Sequence, residues 1–241
     1  MRIAVIADIH GNLEAFQSVL RDIDGSGIQH IVSVGDNIGY GAESEAVMAL
    51  IRERGILSVL GNHEMAVRYP RFFKWFNPQV QATLQSTFAG LSSQTLADIH
   101  RMPSLLIRWG SRFVHGFPPK SPFLYLYQMR ERKICRAFHR IDEKHCFIGH
   151  THELNLIRVR GGSARYLPFS RGVAVLENDA AYLINVGSVG QPRDGDNRAK
   201  YVIWDISASS VEVRRVSYDI DTAIRKILDA GYPESFAARL R

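Results

Sequence analysis

The first ten residues constrain the fold more than any other stretch. Met1-Arg2-Ile3-Ala4-Val5-Ile6-Ala7 is an apolar run, bounded at once by Asp8-Ile9-His10-Gly11-Asn12. An unbroken apolar run of this length reads as a strand buried on both faces, as in a parallel sheet covered by helices. An aspartate and a histidine then leave its carboxyl end, where open α/β sheets gather their ligands. An anionic oxygen beside an imidazole nitrogen suits a divalent cation. Taken alone, Asp8 could equally cap the helix that follows.

The chain after this strand repeats the pattern. Leu13, Phe16, Val19, Leu20 and Ile23 share one helical face, which predicts a helix from Asn12 to about Asp24. A strand over Ile28 to Val34 runs into Gly35-Asp36-Asn37-Ile38-Gly39-Tyr40-Gly41. A helix over Ser44 to Arg54 follows, and a third strand over Ile56 to Leu60 ends in Gly61-Asn62-His63-Glu64. Three strand–helix steps predict right-handed crossovers and a parallel sheet.

The pattern then breaks at an aromatic and basic run, Tyr69 to Phe76. Asn77-Pro78 reads as a cap and first turn of a helix reaching toward Gly90, and a short helix ends near Met102-Pro103. Leu105 to Trp109 and Arg112 to His115 predict a hairpin turning at Gly110-Ser111. Residues 117–128 read as loop, Met129 to His139 as helix, and His145 to Ile148 as a strand ending in Gly149-His150-Thr151-His152. From Leu154 onward the chain turns to strands: Leu154–Arg160, Val173–Glu177, Ala181–Val186, Tyr201–Ile206 and Val211–Val216. These suggest a second sheet packed on the first, followed by a helix over Asp221–Asp229 and a last helix near the C-terminus. No repeat or linker is visible, so one domain over residues 1–241 is expected, with 65–103 as a helical cap insertion.

Composition narrows the class of protein. A 46% hydrophobic content with 22% charged residues is that of a soluble globular protein, and no apolar run is long enough to span a bilayer. The N-terminus runs straight into a strand and does not read as a signal peptide. Two cysteines give no disulfide framework, which fits a reducing cytoplasm, and both read as buried thiols. The net charge of +6 reads either as affinity for phosphate esters or nucleic acid, or as a solvated basic surface.

Five stretches carry the chemistry: Asp8-Ile9-His10, Gly35-Asp36, Gly61-Asn62-His63-Glu64, Val114-His115-Gly116 and Gly149-His150-Thr151-His152. Each lies at the end of a predicted strand, and that shared placement argues for one site. Two aspartates, five histidines and an asparagine are more than one metal needs. Two metals roughly 3.5–4 Å apart can share a carboxylate and promote in-line displacement at phosphorus. A mixed nitrogen and oxygen shell fits Mn, Fe or Zn better than Mg. His30, His100, His139 and His145 sit in no such motif and read as structural.

The order and spacing of these motifs resemble the calcineurin-like metallophosphoesterase superfamily, its small bacterial phosphodiesterase-type branch in particular. Asn185-Val186-Gly187-Ser188-Val189-Gly190-Gln191-Pro192-Arg193 resembles a late segment of that branch. The resemblance covers nearly the whole chain and implies a four-layer α/β/β/α sandwich of two packed mixed sheets. It implies two divalent metal ions: Asp8, His10 and His152 on the first, Asn62, His115 and His150 on the second, and Asp36 bridging both. His63 is implied as a non-ligand that protonates the leaving oxygen or stabilises the transition state. Phosphoprotein phosphatases of the superfamily carry an aspartate and an arginine three and four residues after the bridging aspartate. Gly39 and Tyr40 stand there in this chain, which speaks against a phosphoprotein phosphatase.

Three functions compete at this point. The first is a dinuclear-metal phosphoesterase in which a metal-bound hydroxide attacks a phosphodiester or a nucleotide-type phosphoanhydride, with small phosphoesters or nucleotides as partners. The second is a nuclease on polymeric nucleic acid, which the basic charge allows although no accessory module is visible; polymer binding would weaken steeply with salt. The third is a scaffold of the same fold without activity, against which stands the full set of ligands and His63. Arg193 either grips a substrate phosphate, with Tyr40 beside it, or pairs with Asp194 or Asp196. The aromatic run at 69–76 either stacks on a substrate base or packs a cap against the body, and together with the aromatic segment 117–127 it could form a wall for a diester's second substituent.

Overall fold

The computed structural model describes residues 1–241. Strand β1 (Arg2–Ile6) is central to a six-stranded mixed sheet, and its side chains alternate between two cores. Ala4 and Ile6 face helices α1 (Leu13–Asp24) and α2 (Ser44–Glu53), while Ile3 and Val5 face the second sheet. That two-sided burial is why the run from Ile3 to Ala7 contains no polar residue. Asn12 caps α1 by accepting from the Ala15 N–H at 3.1 Å.

The first sheet runs β3 (Leu57–Ser58), β2 (His30–Ser33), β1, β11 (Ala199–Asp205), β12 (Ser210–Val216), β9 (Gly172–Val175). The three N-terminal strands are parallel as expected. The late strands do not build the second sheet alone. β11, β12 and β9 join the first sheet, β11 lying antiparallel beside β1. The second sheet runs β4 (Leu106–Arg108), β5 (Ser111–Phe113), β6 (His145–Ile148), β10 (Ala181–Val186), β7 (Leu154–Arg160), β8 (Ser163–Leu167). Side-chain period reveals that a strand is buried but not which strand it pairs with. The β4–β5 hairpin turns at Trp109-Gly110 rather than Gly110-Ser111, both with positive φ, because a two-residue turn of this hand matches the strand twist.

The two sheets face each other across a core of Phe113, Phe147, Tyr182, Ile184 and Trp204. Helix α6 (Glu131–Phe138) covers the outer face of the second sheet, burying Ile134 and Cys135 against Cys146 and Leu183. The layers are therefore α/β/β/α. Between β3 and β4 lie α3 (Asn62–Arg68), a 3-10 turn over Pro70–Trp75, α4 (Pro78–Ala89) and α5 (Ser93–Arg101). Val80 and Leu84 of α4 pack on α7 (Ile220–Asp229) and α8 (Glu234–Ala238). No helix is long and apolar enough to cross a membrane.

Trp204 is buried between the sheets with its ring centroid 5.2 Å from that of Phe147. Trp204→Ala is expected to cost about 3–5 kcal/mol, the usual range for emptying an aromatic site in a core. Urea denaturation of the two proteins measures it.

Candidate metal centre

The carboxyl ends of β1, β2, β5 and β6, with the turn after β3, converge at one edge of the sandwich. Eight non-glycine residues have positive φ, and six of them are here: Asp8, His10, Asp36, Tyr40, His150 and His152. Such backbone costs on the order of 1–3 kcal/mol per residue and persists where surrounding structure fixes it. Asp8, His10, Asp36, Asn62, His63, His115, His150 and His152 are all brought together, and all are buried.

Each aspartate has one oxygen tied to backbone and one turned inward. Asp8 Oδ2 accepts from the His150 N–H at 3.0 Å, and Asp8 Oδ1 has no hydrogen-bond partner. Asp36 Oδ1 accepts from the His63 N–H at 2.9 Å. Asp36 Oδ2 then faces His115 Nε2 at 3.2 Å, His10 Nε2 at 3.8 Å and His63 Nε2 at 3.9 Å. Asp8 Oδ1 faces His152 Nε2 at 3.4 Å and His10 Nε2 at 3.8 Å.

Four histidines are held from behind by backbone carbonyls. His10 Nδ1 lies 3.1 Å from the Ile38 carbonyl, His115 Nδ1 2.9 Å from Val34, His152 Nδ1 2.6 Å from Gln191, and His150 Nε2 3.3 Å from Phe123. A carbonyl only accepts, so in the neutral ring the proton sits on that outer nitrogen and the inner nitrogen presents a lone pair. The inner nitrogens crowd together: His10 Nε2 to His152 Nε2 at 3.1 Å, and His115 Nε2 to His150 Nδ1 at 3.1 Å and to Asn62 Oδ1 at 3.0 Å. Lone pairs facing at these distances repel unless a cation or a proton lies among them. His63 differs, since its Nδ1 has no partner at all. Three trios lie close enough to hold a cation: Asp8/His10/His152, Asp36/His115/His150 with Asn62 beside it, and His10/Asp36/His63, whose His63 lacks the carbonyl bond that orients the other rings.

Without cations the site's charges are displaced. Burial drives Asp8 up to about 7. Burial opposes a charge on His115, yet the carboxylates of Asp36, Asp8 and Glu64 together outweigh it and lift the ring to about 9. Burial lowers His63 to about 4 and His150 to about 3.

Glu64 explains how the loops keep register. Its buried carboxylate accepts from the N–H groups of Asn37 at 2.7 Å, Gly61 at 2.9 Å, Asp36 at 3.0 Å and Ile38 at 3.3 Å, locking the β2 and β3 loops together. Gly61 is required there, because a Cβ would collide with the Asp36 carboxylate. Gly39 lies against His63 Nδ1 with no room for a side chain, so position 39 supplies no carboxylate behind that ring.

Several contributors were not singled out from the sequence. Asn185 holds the Gly149 carbonyl at 3.1 Å and Thr151 Oγ1 at 2.7 Å, Ser188 donates to the Asp8 carbonyl at 2.8 Å, and Asn12 donates to the Gly190 carbonyl at 2.9 Å. Asn185 and Ser188 fall in the 185–193 segment, which was the only signal for them. Tyr125 stacks on His150 at 3.8 Å, and Phe72, Trp75 and Phe123 cluster beside it. The aromatic run is thus split: Phe73 and Phe76 pack on the body, while Trp75 is 61% exposed. Arg193 pairs with neither Asp194 nor Asp196. Asp194 pairs with Lys200 at 2.8 Å and Asp196 with Arg198 and Arg215, whereas Arg193 bonds Gln191 and lies 6.0 Å over the Tyr40 ring. His30 and His145 rest against Trp109 and Trp204, away from the centre.

Metal binding is expected to stabilise the fold. Manganese at about 100 times its Kd should add about 2.7 kcal/mol, read as a rise in melting temperature of chelator-stripped protein. Asp36→Asn should abolish most of that rise and lower metal content after desalting; two tightly held ions in the mutant would contradict the role of Asp36. Because a lifted His115 holds a proton below about pH 9, the cation must displace it. Affinity should therefore fall as pH drops from 9 to 6, and calorimetry in buffers of different ionisation enthalpy should show proton release.

Comparison with known proteins agrees with this geometry. The profile of the calcineurin-like phosphoesterase superfamily domain matches residues 1–209. The chain is 36% identical over 241 residues to an uncharacterised protein of Methanocaldococcus jannaschii, covering 99% of this chain and 96% of that one. A 61-residue stretch is 43% identical to serine/threonine-protein phosphatase 2 of Escherichia coli, spanning 25% of this chain and 28% of that one. The crystal structure of a metallophosphoesterase from Sphaerobacter thermophilus superposes with a TM-score of 0.83 at 33% identity, covering 100% of this chain and 98% of that one.

Proposed function

The chain belongs to the calcineurin-like phosphoesterase superfamily, and from that premise we propose a dinuclear-metal phosphoesterase acting on phosphodiesters or nucleotide-type phosphoanhydrides. The observation that supports it is the convergence of inner imidazole nitrogens on Asp8 Oδ1 and Asp36 Oδ2. Asp8, His10 and His152 would hold one cation and Asn62, His115 and His150 the other, with Asp36 between them. Mn, Fe or Zn suits this donor set better than Mg. When bound, two such cations neutralise phosphoryl oxygens and acidify a water towards neutrality.

The protein's own residues do the rest. The outer carbonyl bonds orient four histidines in advance, so no rearrangement is needed as substrate arrives. His63 lacks such a bond and stands 3.9 Å from Asp36 Oδ2, boxed by the rings of Tyr40 and Phe76 at 5.0 and 5.1 Å. We assign it to hydrogen-bond the leaving oxygen, as acid or as N–H donor. Tyr125 and the Phe72/Trp75/Phe123 cluster border the His150 side and offer a wall for a diester's second substituent. The segment 65–103 would then act as a cap, since it supplies Phe72, Trp75 and Phe76.

Gly39 and Tyr40 replace the residues with which phosphoprotein phosphatases serve a dianionic monoester, and a diester carries only one charge for the cations to balance. The match to serine/threonine-protein phosphatase 2 spans only a quarter of this chain and does not outweigh those substitutions. The Mn-loaded protein should show higher kcat/KM for a p-nitrophenyl diester than for the matched monoester, and the reverse order would overturn the preference.

His63→Ala should retain metal and lose about 10²–10⁴-fold in turnover. The loss should shrink for p-nitrophenolate, which leaves without a proton. Equal loss on good and poor leaving groups would assign His63 to electrostatic stabilisation instead.

A further inference from the structure

Around Arg193, whose N–H donates to the His152 carbonyl at 3.2 Å, opens a cavity of about 350 Å³. Its walls are the 192–197 turn and the C-terminal segment, and three of its side chains are Arg193, Arg239 and Arg241. Packing dictates this. Phe236, Ala237 and Leu240 bury themselves against α4 and α7, which turns Arg239 and Arg241 outward to either side of Leu240. Phe236 in turn meets the Tyr40 ring edge-on at 4.9 Å, fixing the C-terminal segment against the catalytic edge.

Charge makes the cavity unusual. Arg193, Arg239 and Arg241 have no carboxylate within salt-bridge distance, unlike the other arginines of this turn. The carboxylate in its wall, Asp196, is already matched by Arg198 and Arg215, and neighbouring Asp194 by the buried Lys200. Lys200 also donates to the Arg198 carbonyl at 3.1 Å and to the Asp196 carbonyl, so the turn carrying Arg193 is clamped from inside the sheet. The Arg193 N–H donates to the His152 carbonyl at 3.2 Å, setting it next to the trio. Three guanidinium groups without a carboxylate partner around one cavity form a recognition site for phosphate oxygens.

We infer that Arg193, Arg239 and Arg241 bind the terminal phosphate of the leaving group, so that the substrate is a phosphoanhydride whose scissile phosphorus also carries an organic substituent. The inference rests on the phosphoesterase reading above. His63 and Arg193 both lie against the Tyr40 ring, at 5.0 and 6.0 Å, so Arg193 neighbours the residue assigned to the leaving oxygen. The aromatic wall stacked on His150 takes the substituent. In the reaction, a water oxygen bonds to the scissile phosphorus and the bond to the bridging oxygen breaks. The bridging oxygen keeps the electron pair as part of the departing phosphate or pyrophosphate. One water proton stays on the new phosphate, and the other goes to the leaving group or to solvent.

Two substrates that transfer the same thymidylyl group isolate the effect: thymidine 5′-(p-nitrophenyl phosphate) and thymidine 5′-triphosphate. Both yield thymidine monophosphate, the second with pyrophosphate. The doubly substituted Arg239→Ala/Arg241→Ala protein, Mn-loaded, should lose about 10–100-fold in kcat/KM on the triphosphate, as expected for lost charged hydrogen bonds, and far less on the nitrophenyl ester. Turnover of the ester is also the control for folding. Equal losses on both substrates, no selective loss on the triphosphate, or ester turnover without triphosphate turnover by the unsubstituted protein would overturn the subsite and leave the phosphoesterase reading intact. Turnover of neither substrate by the unsubstituted protein would defeat both.

Discussion

The structure depends on a repulsion that only positive charge relieves. Four imidazoles are held from behind so that their inner nitrogens meet at about the distance of a hydrogen bond, where neutral rings have no hydrogen to share. Two carboxylates add a free oxygen each, Asp8 Oδ1 without any partner. A buried orphan of this kind costs several kcal/mol, and protonating His115 relieves only part of it. The fold accepts that cost in advance at a rigid edge, so cation binding recovers it.

What makes the edge rigid is the two-sided burial of β1 and the network beneath the loops. Ile3, Val5 and Ala7 anchor it to the second sheet, and Ala4 and Ile6 to α1 and α2. Glu64, Asn185, Ser188 and Asn12 then bond the backbone of neighbouring loops to one another. These residues do not reach the centre, yet they hold six strained positions at positive φ. Removal of such supports commonly costs 10–100-fold in metal affinity.

Much of this was legible in the sequence because the two periodicities and the strand-end motifs are local. The parallel β1–β3 order, the Asn77 cap and the eight residues of the centre follow from short stretches, whereas the cap of α1 is Asn12 and not Asp8. Pairing was not legible: β11 and β12 pair near β1, about 200 positions earlier in the chain, and nothing in their alternation identifies that partner. Strand β8 was missed because its Ser163-Ala164-Arg165-Tyr166-Leu167 lies at a sheet edge and lacks a clean apolar face. Helix α3 was hidden behind its own motif, since Asn62, His63 and Glu64 open it while serving the site. Arg239 and Arg241 carried no motif at all; only the packing of Phe236 and Leu240 shows where they point.

The most direct test of the two-cation centre is anomalous diffraction from crystals grown with manganese, recorded near the manganese edge. The account predicts two anomalous peaks per chain, one among Asp8, His10 and His152 and one among Asn62, His115 and His150, with Asp36 between them and His63 outside both. A single peak at full occupancy, or a peak ligated by His63, would contradict it.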